Sequence, residues 1–242
     1  MVSLAMKNVL LIYTCSKNAD RRAAIESTWL SRVNIPWYYV VTTGDNLEPS
    51  VKIDCPETYE SLGVKTYRVL EWFVRSEFDR MIKVDDDTYI NSDKLNNLQL
   101  SHDYCGFMIK SLLTPTKYHY GKCTDDQLNK TPIVYDIQDY QFAAGGCYSL
   151  SKKAAKICID NINVDEMIST DRAILTLEDR MIGKCLRCHD VTTNSSGSWI
   201  SRKTNRYSVF NETAFHSVDS VKMKTINCCN FTTIHYNKMY IE

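Results

Sequence analysis

Arg80-Met81-Ile82-Lys83-Val84-Asp85-Asp86-Asp87-Thr88-Tyr89-Ile90-Asn91 passes abruptly from an apolar run to a triplet of carboxylates. The run is short and rich in Met, Ile and Val, which suits a brief buried strand. Three adjacent carboxylates repel one another and gain nothing for a fold. A divalent cation removes that penalty. Mg²⁺ or Mn²⁺ takes oxygen ligands at ~2.1 Å and commonly shares its shell with substrate phosphates. If the segment stays extended, Asp85 and Asp87 point the same way and can face one ligand together. A solvated acidic turn is the competing reading.

Upstream, a helix is expected across Tyr59 to Ser76, with Leu62, Leu70, Trp72 and Phe73 as its apolar positions. Before it, Trp37-Tyr38-Tyr39-Val40-Val41 reads as a strand ended by Thr42-Thr43-Gly44-Asp45. Val9 to Thr14 reads as a first strand. A helix follows it, with Asp20 as N-cap and Ala23, Ala24, Ile25 and Trp29 on its apolar side. Strands alternating with helices predict an α/β fold with a mostly parallel sheet. Ligands bind such sheets beyond the carboxyl ends of the strands, where Asp85 to Asp87 fall.

The 242 residues fit one such domain, with 44% hydrophobic and 24% charged residues. No repeat, low-complexity tract or linker divides the chain. The formal net charge is zero and the basic residues are scattered, so no field recruits nucleic acid or an acidic membrane. Val9 to Tyr13 is far shorter than a membrane span of ~20 residues. Four sequons (Asn129, Asn194, Asn211, Asn230) and ten cysteines suit a secretory compartment, whereas the chain as given carries no visible address or anchor. A cytoplasmic location is the expectation, with a Golgi or ER lumen as the alternative.

The Arg80–Asn91 stretch resembles the DxD segment of the inverting β-1,3-glycosyltransferases that include Fringe and core-1 galactosyltransferase. Three further blocks resemble that family in its order. Arg22-Ala23-Ala24-Ile25-Glu26-Ser27-Thr28-Trp29 resembles its R-x-x-I-x-x-T-W helix. Phe142-Ala143-Ala144-Gly145-Gly146-Cys147-Tyr148-Ser149-Leu150-Ser151 resembles its Gly-rich acceptor-side segment. Leu177-Glu178-Asp179-Arg180-Met181-Ile182-Gly183-Lys184-Cys185-Leu186 resembles its E-D-V-x-x-G-x-C-L block. The likeness runs from about Val9 to His216. Glu26 stands where many relatives have a basic residue, and Cys147 where a glycine is common.

The resemblance implies a single GT-A-like domain over residues 1–242. Residues 1–100 would form roughly the nucleotide-binding half and 101–242 the acceptor-binding half. It implies inverting, metal-dependent transfer of a hexose or N-acetylhexosamine from a UDP-sugar to a hydroxyl of a glycan or glycoprotein, through a β-1,3 linkage. Asp179 takes the role of base, with Glu178, Gly145 and Gly146 on the acceptor side. Asp85, Asp86 and Arg22 fall to the donor. Asp85, Asp87 and His216 fall to Mn²⁺ or Mg²⁺, for which imidazole and carboxylate are suitable ligands.

Each assignment has a plainer rival. Glu178-Asp179 also suits a helix N-terminus, Arg22 a surface ion pair, the glycines a turn, and His216 any surface or core position. Cys185-Leu186-Arg187-Cys188-His189 matches the C-x-x-C-H of haem attachment, but occurs once and overlaps the E-D block. Zinc at Cys185, Cys188, Cys228 and Cys229 is a further reading, with a disulfide or buried thiols preferred. Two other classes compete with the transferase. One is a catalytically inactive carbohydrate-binding module on the same fold. The other is a phosphoryl-transfer enzyme using Asp85 and Asp87, for which no phosphate-binding lysine is assigned.

Overall fold

The computed structural model describes residues 6–111, 115–134, 140–170, 172–194, 200–202 and 214–216, with backbone only for Asn194 and the last two segments. The chain opens with β1 (Asn8–Tyr13), α1 (Ala19–Thr28), β2 (Trp37–Thr42), β3 (Ser50–Ile53), α2 (Leu62–Arg75) and β4 (Arg80–Asp85). It continues with β5 (Tyr89–Ile90), α3 (Ser92–Asn96), β6 (Tyr104–Lys110) and β7 (Gln141–Ser151). Then follow α4 (Lys152–Asn161), α5 (Val164–Thr170) and α6 (Glu178–Leu186). Three short strands close the described chain: β8 (Thr193–Asn194), β9 (Ile200–Arg202) and β10 (Ala214–His216).

The main sheet runs β3-β2-β1-β4-β7-β6-β8. The first four strands and the β6–β8 pair are parallel, and β7 is antiparallel to both of its neighbours. Side chains of β1 alternate between two helical layers. Val9, Leu11 and Tyr13 pack with α2, α4 and α6, whereas Leu10 and Ile12 pack with Ala24 and Ile25 of α1 and with Trp29 just after it. Leu10, Leu11 and Ile12 are completely buried, each contributing about 1.5–3 kcal/mol through removal from water. An apolar run with helices on both faces is what a parallel central strand requires. The fold is the expected single-domain, mixed and mostly parallel α/β architecture of GT-A type.

Helix α2 buries Leu70 and Phe73 as expected, together with Thr66 and Val69, whereas Leu62 and Trp72 are only partly buried and Tyr59–Ser61 forms a separate 3-10 turn ahead of it. At α1 the expected cap moves. Asn18 holds the N-cap position without a side-chain capping bond, and Asp20 lies inside the first turn. Asn18 is drawn away by a tertiary partner described below. Among the described residues, no helix is long and apolar enough to cross a membrane.

Register places the chemistry. Tyr13 pairs with Asp85 along β1–β4, and Val84 pairs with Cys147 along β4–β7. The chain after Tyr13, the acids ending β4, and Gly145-Gly146 of β7 therefore meet at one sheet edge. A second sheet, β5-β10-β9, pairs Phe215 with Tyr89 and Ala214 with Ile90. That antiparallel register brings the backbone of His216 to the Thr88 end of β5.

Candidate active site

Strand β4 ends at Asp85, and Asp86 and Asp87 form a turn. The extended geometry expected for all three acids therefore stops at the first. Pleat and turn send them to different surroundings. The Asp86 carboxylate is buried and accepts from Thr14 Oγ1 at 2.7 Å, Asn18 Nδ2 at 2.8 Å and Arg21 Nη1 at 2.8 Å. It fastens the β4 turn to the loop between β1 and α1. Asp87 keeps 26% of its side chain exposed, with Arg21 Nη1 at 3.9 Å. Asp85 turns to the opposite layer from Asp86, where it meets Lys83.

Lys83 is a charged residue set between Ile82 and Val84 in the buried stretch of β4. Its ammonium donates to Asp85 Oδ1, to the Gly145 carbonyl and to Glu178 Oε1, the last at 3.0 Å. The rings of Tyr13 and Tyr148 lie 5.0 and 5.6 Å from it. Burial works against its charge, but the carboxylates of Asp85 and Glu178 outweigh burial and hold its pKa above the ordinary lysine value. Such a buried cation persists only because its partners are anions.

Helix α6 presents Glu178 and Asp179 in its first turn, where carboxylates favour the helix dipole. Its seat on β7 depends on Gly183. A Cβ there would lie 2.7 Å from the Gln141 carbonyl oxygen and 2.8 Å from Phe142 Cα. The close approach carries the helix start to Gly145, whose N–H donates to Asp179 Oδ2 at 3.0 Å. Asp179 Oδ1 accepts from the Arg180 N–H at 2.8 Å. A Cβ on Gly145 would stand 3.0 Å from Glu178 Oε1 and 3.4 Å from Asp179 Oδ2. This glycine leaves room for the two carboxylates. Gly146 contributes its carbonyl to Thr88 Oγ1 at 3.0 Å. Cys147, the next residue, is wholly buried, and burial pushes its thiol up to about 12.

The segment after β6 supplies a second cation. Lys122 Nζ lies 3.5 Å from the centroid of the Tyr118 ring and 5.2 Å from that of Tyr59. Burial lowers its pKa against the opposing pull of Asp87 and then Asp85, so both carboxylates act on it. Burial raises the Tyr59 pKa, and the charges of Glu178, Asp179 and Asp85 add to that rise. The segment is pinned by buried Glu60, which accepts from the Thr124 N–H at 3.2 Å and from its hydroxyl. Buried His119 ties it again through Nε2 to the carbonyls of Leu128 and Thr131, at 2.8 and 3.1 Å.

Three sequence blocks thus converge: Asp85 to Asp87, Gly145-Gly146 and Glu178-Asp179. Arg22 lies beside them. Its guanidinium donates to the Cys15 carbonyl, to Thr14 Oγ1 at 3.3 Å and to the Ser16 carbonyl at 3.2 Å, bracing the β1–α1 loop. Arg21 is the residue that reaches the acids. Glu26 accepts from the Tyr39 hydroxyl at 2.8 Å. The His216 side chain lies outside the described residues, as do Cys228 and Cys229.

The donor set at the end of β4, carboxylate oxygens with a partly exposed Asp87, fits a hard divalent cation that completes its shell with water and phosphate. Among the described residues no group of three His, Cys, Asp or Glu side chains forms a ready-made metal cage. Haem has no support, since Cys185 is half-buried beside Cys158 while Cys188 is exposed.

Sequence reasoning passes over Lys83, Arg21, Tyr59, Tyr118 and Lys122. Lys83 left a signal, a charge flanked by apolar Ile82 and Val84, which in a buried setting demands a counter-charge. Arg21 depends on how α1 packs beside the end of β4, and Tyr59, Tyr118 and Lys122 on a loop whose path no local pattern reveals.

Comparison with known families agrees with this geometry. The galactosyltransferase family, which contains β-1,3-galactosyltransferases and Fringe-like enzymes, matches residues 45–196. The match spans the acidic triplet, the glycine segment and the Glu178-Asp179 helix, while the Arg22–Trp29 block and His216 lie outside it. The chain belongs to the galactosyltransferase family, and with it to the glycosyltransferases.

Proposed function

We propose that the protein is a metal-dependent inverting transferase that moves a hexose or N-acetylhexosamine, of galactose, N-acetylglucosamine or glucose type, from a UDP-sugar to a saccharide hydroxyl through a β-1,3 linkage. The observation that carries this reading is that Asp179 is held by the Gly145 N–H at 3.0 Å, while the Lys83 ammonium joins the Gly145 carbonyl and the neighbouring Glu178 to Asp85 at the end of β4. A base and a donor-side carboxylate cluster are thereby fixed to one frame.

In the proposed reaction Asp179 accepts the proton of the acceptor hydroxyl as its oxygen attacks the anomeric carbon. The bond to the diphosphate breaks on the opposite face, which inverts the configuration. A bound Mn²⁺ or Mg²⁺, held by Asp85, Asp87 and His216, would neutralise charge on the departing diphosphate. Asp86 and Arg22 keep the β1–α1 loop in place beside the donor, and Lys122 brings positive charge to the same side. Glu178 and the Gly145-Gly146 backbone shape the acceptor side.

The test is transfer by the purified protein from a panel of UDP-sugars, with Mn²⁺ and with EDTA, beside Asp179→Asn. Turnover should require the metal and fall by about 10²–10⁴-fold in the variant, the usual contribution of a positioned base. Undiminished activity in EDTA would remove the metal, and full activity of Asp179→Asn would remove the base. UDP binding without turnover on any acceptor would instead leave a carbohydrate-binding module.

A further inference from the structure

An ammonium has three N–H donors, and Lys83 directs all three to protein acceptors. They are Asp85 Oδ1 at the end of β4, the Gly145 carbonyl on β7 and Glu178 Oε1 at the start of α6. The group is wholly buried, with Tyr13 and Tyr148 beneath it. No donor remains for a substrate. The peptide units flanking Gly145 are held at two points, the carbonyl by Lys83 and the N–H by Asp179 Oδ2 at 3.0 Å. The added-Cβ contacts at Gly145 show that this backbone lies directly against both Glu178 and Asp179.

We infer that Lys83 is a positioning residue for Asp179. It draws β4, β7 and α6 onto one charge, and so sets the Gly145 N–H that orients the Asp179 carboxylate relative to the donor-side acids. The inference deepens the proposed function, because it takes Asp179 as the base. Two carboxylates meeting one buried ammonium give a tie that is both strong and directional. A neutral side chain of similar length leaves Asp85 and Glu178 facing each other, and the helix start shifts away.

Lys83→Met tests this directly. A Lys83→Met/Glu178→Gln double variant removes cation and anion together, and carries the test if the single variant does not fold. For each, kcat and acceptor KM are measured beside UDP affinity by calorimetry in Mn²⁺, with Asp179→Asn as reference. Both Lys83 variants should lose about 100-fold in kcat, the scale of a misplacement of roughly 1 Å. Their UDP affinity should stay within about fivefold of the parent protein, a split that general unfolding would not produce. Two results would overturn the inference alone: an inactive Asp179→Asn beside a double variant of parental kcat, or kcat and UDP affinity falling together. A fully active Asp179→Asn would remove the base and this inference with it.

Discussion

The two acidic segments of the site, Asp85-Asp86-Asp87 and Glu178-Asp179, look alike in sequence and differ in how the fold disposes of their charge. The triplet sits where a strand breaks into a turn, so its members diverge: Asp85 to Lys83, Asp86 into a buried clasp with Thr14, Asn18 and Arg21, and Asp87 to a longer, partly exposed contact with Arg21. The pair sits on a helix start. There Glu178 is buried against Lys83, while Asp179 takes two backbone N–H groups. In each segment at least one carboxylate holds the architecture, and the proposed chemistry falls to its neighbour. Adjacent like charges are tolerable because Lys83 meets Asp85 and Glu178, Arg21 meets Asp86 and Asp87, and backbone N–H groups meet Asp179.

That division can be broken residue by residue, in order of cost to the fold. Glu178→Ala should be the most damaging, since it takes one of two anions from a buried cation. About 3 kcal/mol is expected for a disrupted buried pair, read by urea unfolding. A loss below about 1 kcal/mol would mean that Glu178 has no architectural part. Asp86→Ala removes three hydrogen bonds made to a charged group and should cost about 2 kcal/mol. An unchanged unfolding midpoint would place Asp86 among the donor-binding groups alone.

A smaller, local effect belongs to Glu60. Burial raises its pKa, but the Thr124 hydrogen bonds and the Arg172 charge outweigh burial and hold it below the ordinary carboxylate value. A depressed folded-state pKa stabilises above the unfolded value and loses that contribution as pH falls through the folded one. Amide protection factors across Thr116–Ile133, taken relative to intrinsic exchange at each pH, should therefore fall on acidification from neutrality through the carboxylate range. In Glu60→Gln that pH response should shrink. Identical profiles would sever the link between Glu60 and this segment. Asp87→Ala should be the mildest for stability, within about 1 kcal/mol, because its contact with Arg21 is long, at 3.9 Å, and partly exposed. Its metal-dependent UDP affinity should nonetheless fall by about tenfold or more, as expected for a lost phosphate-sharing metal ligand. A variant with unaltered binding would put the metal elsewhere.

Much was legible without coordinates. The apolar runs at Val9–Tyr13, Trp37–Val41 and Met81–Val84 determined a mostly parallel sheet, because strands buried on both faces need apolar residues throughout. Acids closing such a strand determined which sheet edge carries the site. Local pattern carries that much because pleat and helix period are properties of the backbone itself. What each carboxylate does was decided only in three dimensions. The partners of Asp86 come from around residues 14 to 21, those of Glu178 from Lys83, and those of Asp179 from Gly145. Charges act through space over a few ångströms whatever the intervening chain length. Only packing α6 onto β7 at Gly183 could bring Lys83 beneath both acidic segments.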